Sequence, residues 1–190
     1  MELMSSIKLT GEEQEVCLQV AKKSIKYGLL HRTPLQLNLL EYSEVLQQEL
    51  SSFVTLHKKE KLRGCIGSLE AYQPLIKDIS QHAYAAAFQD PRFPALQDNE
   101  YDQIDVEISI LSKPEEMTFT NQEDLLQQIS PDVDGLIIEY GDNRGTFLPS
   151  VWEQLPDKKE FLNHLKKKAN LAKDWWNDEV KISRYETFSF

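Results

Sequence analysis

The chain has 190 residues, of which 41% are hydrophobic and 27% are charged, as is usual for a folded globular protein. Its 31 acidic and 21 basic residues give a formal net charge of −10, which excludes a general nucleic-acid binder that works by neutralising phosphates. The sequence has no apolar run near the roughly 20 residues that span a bilayer and no visible secretory signal, and its two cysteines lie far apart, so we expect a cytoplasmic protein without a membrane segment.

The first predicted element is a helix that begins after Thr10, where Thr-Gly-Glu-Glu forms a capping-box pattern with Glu13. Apolar residues then recur at helical spacing. Cys17 belongs to that apolar stripe, and we interpret it as a packed core residue. Gly28 is typical of a helix end. The proline-led apolar segment 35–40 is expected to be irregular.

A β-hairpin is predicted next, over residues 51–68. Its first strand covers residues 51–57, which alternate between polar and apolar side chains. The charged tetrapeptide at 58–61 is interpreted as a solvated turn. The returning strand, residues 62–68, reads Leu-Arg-Gly-Cys-Ile-Gly-Ser and is the most unusual stretch of the chain chemically.

The chemistry of this returning strand centres on Cys65. In a regular strand Arg63 and Cys65 point to one face, and Leu62 and Ile66 point to the other. Because a guanidinium beside a thiol favours the reactive thiolate, Cys65 is a candidate catalytic residue. The alternative is that Cys65 is a small apolar core residue, since free cysteines are among the most buried residues.

The two glycines that bracket Cys65, Gly64 and Gly67, are candidate binding residues together with Arg63. A glycine removes a side chain where a ligand or another backbone comes close. The alternative is that the two glycines serve a β-bulge.

A second helix is predicted from Pro74 to about Gln89, with proline suited to its first turn. His82 lies on the apolar stripe of this helix, and we interpret it as a core histidine. It is also the histidine nearest to Cys65 in sequence, and a cysteine nucleophile needs a base within about 3 Å.

The loop Asp90-Pro91-Arg92-Phe93-Pro94 ends this helix, and its two prolines stiffen the backbone on both sides of Arg92. Arg92 is therefore a candidate for binding an anion or pairing with an acid. Residues 104–111 alternate as a strand whose polar face carries Glu107. Glu107 is a candidate partner for Arg63 or Arg92, or alternatively a surface acid.

The C-terminal half repeats this mixture of strands and helices. The last predicted helix carries His164 and the lysines at 166–168, which we assign to its exposed side. The remaining predicted elements are a helix at 121–129, a strand at 135–140, a turn at 141–145, a strand at 146–148, a helix from Asp157 to Ala169 and a strand at 180–190.

The sequence contains no metalloprotease, dinucleotide-binding, phosphate-loop or serine-hydrolase motif, and its four histidines do not cluster. We therefore predict no metal site and no cofactor. Hairpins with irregularly spaced helices disfavour a regular βαβ series. The predicted fold class is α+β, a mainly antiparallel sheet flanked by helices in two unequal lobes.

The hexapeptide Leu-Arg-Gly-Cys-Ile-Gly resembles the signature of the AMMECR domain family. The resemblance implies an α+β fold and one AMMECR-like domain over residues 1–190. It extends over nearly the whole chain, through residues 90–94, 107–109, 134–137, 145–149 and 161–169.

Relatives in bacteria and archaea resemble the A component of a three-part set, called AmmeMemoRadiSam, with a Memo-like protein and a radical-SAM enzyme. This resemblance implies a substrate-binding or enzymatic component of a modification pathway. Arg63 and Arg92 would hold an anionic group, Cys65 would be the reactive or packing thiol, and Glu107 would orient an arginine. Relatives often carry a second cysteine where this chain has Lys166, so we do not expect a family-wide dithiol or two-cysteine metal site.

The alternative function is a non-catalytic protein-binding or scaffold module. In that case the signature segment is structural or forms a surface for a protein partner.

Overall fold

The strands of the protein form two separate sheets. The computed structural model describes residues 9–190, and the chain divides into two units. The first unit ends at Ser112 and includes Phe188–Phe190, and the second is Lys113–Thr187. Each contains one four-stranded antiparallel sheet accompanied by helices. The predicted α+β fold with antiparallel sheets is confirmed.

Helices and strands follow one another irregularly, without a repeating βαβ order. Three short 3₁₀ helices, Leu39–Glu41, Glu44–Gln47 and Pro149–Glu153, join them. The helices and strands are α1 (Gly11–His31), β1 (Ser51–Lys58), β2 (Lys61–Gly67), α2 (Leu75–Phe88), α3 (Asp98–Tyr101), β3 (Ile104–Leu111), β4 (Glu115–Glu116), α4 (Gln122–Gln128), β5 (Gly135–Tyr140), β6 (Asn143–Phe147), α5 (Lys158–Lys168), β7 (Lys181–Tyr185) and β8 (Thr187–Ser189).

Helix α1 begins where its capping box predicts. The Thr10 hydroxyl accepts the backbone N–H of Glu13 at 3.2 Å, and the Glu13 carboxylate accepts the backbone N–H of Thr10 at 2.8 Å. The prediction that the helix ends at Gly28 is wrong, because α1 continues to His31. Gly28 is instead a packing position, since a Cβ there would collide with two aromatic rings of α2.

The sheet of the first unit has the strand order β2-β1-β3-β8. Helices α1 and α2 pack against it and against each other. Strand alternation sends Val54, Leu56, Ile108 and Ile110 into the core beneath these helices, where all four are fully buried. We call this side of the sheet the helical face.

A β-bulge interrupts the hairpin of β1 and β2. Leu56 pairs with Gly64, but the next residue of β1, His57, pairs with Leu62, which leaves Arg63 as the extra residue. The prediction that Leu62 and Cys65 point to opposite faces is therefore wrong. Their partners on β1 are two residues apart, so both lie on the face opposite the helical face.

The second unit has the strand order β4-β7-β5-β6, and α5 packs on β6. Its core contains a stacked pair, Trp152 and Phe161, whose ring centroids are 3.6 Å apart. The turn between β5 and β6 is shorter than predicted, with Gly141 at φ 57° and Asp142 its only residues outside the strands. Left-handed φ values suit such two-residue turns.

Two predictions for the C-terminal region are wrong. The strand expected at 180–190 is two strands in two sheets, because β7 pairs with β5 whereas Phe190 exchanges both backbone hydrogen bonds with Ile108. Lys166, expected on the exposed side of α5, is fully buried. Its long side chain finds polar acceptors inside the unit, and these replace part of the lost hydration.

None of the helices in residues 9–190 is both long enough and apolar enough to cross a lipid bilayer.

Candidate functional site

Cys65 lies in a row of side chains that crosses the first sheet. The β-ladder pairs Cys65 on β2 with Thr55 on β1, and Thr55 with Glu107 on β3. Directly paired residues share a face, so the three side chains are neighbours on the side opposite the helical face. The Thr55 hydroxyl donates a hydrogen bond to the Cys65 Sγ over 3.2 Å. We call these three residues the Cys65 row.

The two thiols of the protein have different surroundings. Cys17 is fully buried in the core, as predicted, and burial followed by the nearby charge of Glu13 raises its pKa to about 12. Cys65 is only half-buried and stands outside the apolar core of the first unit. The Cys65 thiol is therefore the one within reach of a reagent or ligand.

The backbone of Cys65 is held by two side chains of the loop 90–94. The Asp90 carboxylate accepts the Cys65 N–H at 2.9 Å, and the Arg92 Nη2 donates to the Cys65 carbonyl at 3.3 Å. Strand β2 lies at the edge of its sheet, where backbone groups otherwise lack a strand partner. We call this pair of side chains the edge clasp.

Within the edge clasp the two charges neutralise each other. Arg92 donates to the Asp90 carboxylate from Nη2 at 2.7 Å, from Nε at 3.0 Å and from its backbone N–H at 3.1 Å. The Arg92 side chain, and then the backbone N–H of Cys65, hold the pKa of the buried Asp90 carboxyl well below its usual range against the cost of burial. The same pairing raises the pKa of Arg92.

One nitrogen of the Arg92 guanidinium, Nη1, is not used in the edge clasp. Its side chain is 54% exposed, and its Nη1 makes no hydrogen bond to any residue in 9–190. The Cys65 side chain is close enough that its negative form contributes to the raised pKa of Arg92. An exposed, positively charged donor thus lies beside the accessible thiol.

Arg63, the bulge residue, is buried and engaged by Glu100. Its Nε and Nη2 donate to the two carboxylate oxygens at 3.1 and 3.0 Å, and Nη2 also donates to the Pro94 carbonyl at 2.9 Å. Arg63, and then Lys58, lower the pKa of Glu100 from 4.5 to about 2. The buried Nη1 of Arg63 has no hydrogen-bond partner among the residues described.

Phe93 joins the two arginines. The guanidinium carbons of Arg92 and Arg63 lie 5.5 and 5.9 Å from the centroid of its ring, within the range of cation–π attraction. The structure therefore brings together the signature strand and the loop 90–94, which the sequence suggested separately.

The glycines of the signature strand are close-packing positions. A Cβ on Gly64 would fall on the backbone carbonyl of Ala86 in α2, and a Cβ on Gly67 would fall on the ring of Phe53. The neighbour that comes close is a group of the protein itself in both cases.

The suggested pairing of Glu107 with an arginine is not formed, whereas the interpretation of His82 holds. The carboxylates that bind the arginines are Glu100 and Asp90, and Glu107 is exposed at the far end of the Cys65 row. His82 is a core histidine, as we interpreted it, with Nδ1 3.0 Å from Asp78.

The surroundings of His82 also exclude it as a base for Cys65. Its Nδ1 is 3.5 Å from the hydroxyl of Ser52, whose backbone and side chain both donate to Asp78. Ser52 belongs to the helical face by strand alternation, whereas Cys65 lies on the opposite one. In the described part of the chain, no group of three His, Cys, Asp or Glu side chains can hold a metal ion.

Asp90, Glu100 and Thr55 belong to the site but were not predicted from the sequence as site residues. The Asp90 carboxylate accepts the backbone N–H of Arg92, two residues further along the chain. Aspartate favours this kind of turn, so an aspartate directly before a proline is a sequence pattern that indicates it. Glu100 closes a capping box with Gln97, also a readable pattern. Thr55 follows from the strand alternation only once the ladder is known.

The chain is similar to known proteins over most of its length. A family model described as AMMECR1 matches residues 18–190. A Methanocaldococcus jannaschii protein is 40% identical over 186 residues, which cover 96% of this chain and 91% of the relative. A Sulfolobus acidocaldarius protein is 42% identical over 178 residues, which cover 88% of this chain and 76% of the relative. The crystal structure of an uncharacterized Pyrococcus horikoshii protein matches with a TM-score of 0.80 and 29% identity, over 95% of this chain and 92% of that one. The chain therefore belongs to the AMMECR1 family.

Proposed function

We propose that this protein is a substrate-binding or enzymatic component of a modification pathway, and that the Cys65 row is its working surface. The observation that carries the proposal is the contrast between the backbone and the side chain of Cys65. The edge clasp fixes the backbone on both its N–H and its carbonyl, whereas the thiol stays half-buried and outside the core. A rigid support with an accessible group is the arrangement that a working site needs.

Each candidate residue has its own part in this proposal. Arg92 offers Nη1 to an anionic group of the substrate, and Cys65 binds or reacts with the neighbouring part. Glu107, at the far end of the row, contacts the remainder of the substrate. Arg63 and the two glycines act indirectly, since their side chains or backbones are committed to Glu100 and to close packing.

The partners that we propose are a Memo-like protein and a radical-SAM enzyme, as the resemblance to the A component of the three-part set implies. The test reconstitutes the chain with these two proteins from the same genome. Radical-SAM turnover is followed as the cleavage of S-adenosylmethionine. We expect the parent chain to change the rate or the product, and the Cys65→Ser variant to lose that effect while it keeps its circular dichroism spectrum.

A matched control is Asp105→Asn, which removes an exposed charge from β3 outside the Cys65 row. Full activity of Cys65→Ser would remove the thiol from the mechanism. No effect of the parent chain on either partner would contradict the proposal as a whole.

A second function, a non-catalytic binding module, is favoured by the exposure of the loop 90–94. Pro91, Arg92 and Pro94 are all exposed beside the edge strand. This alternative predicts that Arg92→Ala weakens the capture of a purified partner without changing any turnover. Retained capture by that variant would count against it.

A further inference from the structure

The second unit contains a groove that lies outside the Cys65 site. It has a volume of about 720 Å³ and runs between the exposed side of α5 and the segment 171–174. Cavities of this size accommodate small-molecule ligands. Its lining includes Gln122 at the start of α4, Leu171 and Ala172.

The groove is basic although the whole protein is acidic. Lys159, Lys167 and Lys173 line it with two carboxylates, Glu160 and Asp174. His164 also lines it, and its Nε2 lies 4.0 Å from the Glu160 carboxylate. The lining of the groove thus carries a small excess of lysines over carboxylates on a chain whose formal net charge is −10.

A fourth lysine lies directly behind the wall of the groove. The fully buried Lys166 donates from Nζ to the side-chain oxygen of Gln122 and, at 3.2 Å, to the backbone carbonyl of Lys173. Both acceptors belong to residues that line the groove. Its Nζ also lies 5.5 Å from the centre of the Trp176 ring.

The ammonium of Lys166 has only neutral groups as direct partners. Within the described part of the chain no carboxylate forms an ion pair with it, and Asp174 acts on it only at longer range. Burial accordingly lowers its pKa. A buried cation without a paired anion is costly, and an anion bound in the groove would offset that cost.

We propose that this groove binds a small anionic molecule bearing phosphate or carboxylate groups, held by Lys159, Lys167 and Lys173 and favoured by the buried charge of Lys166. The apolar Leu171 and Ala172 offer contact to an uncharged part of the ligand. The proposal does not rest on the function assigned to the Cys65 row, since every residue in it belongs to the second unit.

Tryptophan fluorescence can be used to measure ligand binding in the groove. All three, Trp152, Trp175 and Trp176, belong to the second unit, so fluorescence excited at the indole band reports on that unit alone. The full chain is titrated with pyrophosphate and separately with citrate at constant ionic strength. We expect a saturable change, and the tighter probe identifies the phosphate or the carboxylate class. No saturation with either probe into the millimolar range would overturn the proposal.

Charge-removal variants show whether the binding occurs in the groove. Lys167 and Lys173 are exposed, so the double replacement by Gln leaves the fold intact and should raise the Kd roughly tenfold or more. The control is Lys181→Gln, an exposed lysine of β7 outside the groove, which should change the Kd by less than about twofold, as screened charges do. An equal loss of affinity in the double variant and in Lys181→Gln would show that the probe is attracted by the overall charge of the protein. That result would contradict the proposed site.

Lys166→Met tests the buried charge separately, because methionine keeps much of the length without the ammonium. We expect weaker probe binding with an unchanged circular dichroism spectrum. Binding as tight as that of the parent chain would remove Lys166 from the site.

Discussion

The buried carboxylate of Asp90 accepts the backbone N–H of Cys65 at 2.9 Å, across 25 positions of sequence. This bond ties the loop that ends α2 to the edge strand that carries the accessible thiol. The same carboxylate receives three donors of Arg92, so one side chain organises both the strand edge and the arginine beside it.

Asp90→Asn should destabilise the protein. The amide keeps the size of the side chain but replaces one acceptor oxygen by an N–H group that faces the donors of Cys65 and Arg92. Loss of charge-assisted bonds at a buried position costs about 2–3 kcal/mol in the free energy of unfolding. Urea denaturation followed by far-UV circular dichroism measures this change. Asp105→Asn, at an exposed site, should stay within about 0.5 kcal/mol, and an equal effect of the two variants would contradict the role given to Asp90.

Acid should weaken the first unit through Glu100. The folded state lowers the pKa of this carboxyl from 4.5 to about 2, chiefly through its hydrogen bonds with Arg63. A depressed folded pKa contributes stability that is complete above the unfolded value and is lost as the pH falls. The free energy of unfolding should therefore decline between about pH 5 and pH 2.

The matching variant is Glu100→Gln, which cannot ionise. It should be less stable than the parent chain at pH 7 and show a shallower decline towards pH 2, with circular dichroism as the probe. Parallel pH profiles for the two proteins would show that Glu100 contributes nothing to the acid sensitivity. Asp90, whose pKa is also depressed, supplies the part of the decline that remains.

Gly64 and Gly11 form a matched pair for glycine replacement. A Cβ on Gly64 would overlap the Ala86 carbonyl, which is backbone and cannot rotate away, whereas a Cβ on Gly11 meets no atom within 4 Å. Gly64→Ala should cost about 2–4 kcal/mol by forcing α2 away from β2. Gly11→Ala, in the first turn of α1, should be neutral or stabilising by up to about 1 kcal/mol. Thermal and urea unfolding of both variants measure the difference, and a tolerated Gly64→Ala would contradict the close packing.

The regular parts of the fold could be predicted because their causes are local. The capping residues Thr10, Asn121 and Asp157 begin the helices that the pattern indicates, and alternation identifies β3 with its bounds. The division of the last strand between two sheets could not be predicted, because strand pairing depends on distant residues. Nor could the burial of Lys166, since its acceptors lie elsewhere in the chain.

Only some members of the candidate site could be predicted from the sequence, and none of their contacts. The sequence motifs indicated Arg63, Cys65 and Arg92; in the structure both arginines lie near the Phe93 ring, and Arg92 also donates to the Cys65 carbonyl. Glu107 was expected either to pair with an arginine or to be a surface acid; it is exposed, and Arg63, the bulge residue, pairs with Glu100. A one-residue bulge has no reliable signature in sequence, and it changes every neighbour of the side chain involved.

The accessibility of Cys65 gives the most direct test of the site. We expect iodoacetamide to modify one thiol per native chain, because Cys65 is half-buried while Cys17 is fully buried with a pKa raised to about 12. Thiolate is the reacting species, so a thiol with such a pKa reacts negligibly at pH 8. Intact mass measures the number of adducts and peptide mapping locates them. Denatured protein should take two adducts, native Cys65→Ala none, and native Cys17→Ala still one. Modification of Cys17 before Cys65 would mean that the first unit unfolds more readily than the Cys65 thiol becomes accessible in the native protein. That result would contradict the proposal that the Cys65 row is the working surface.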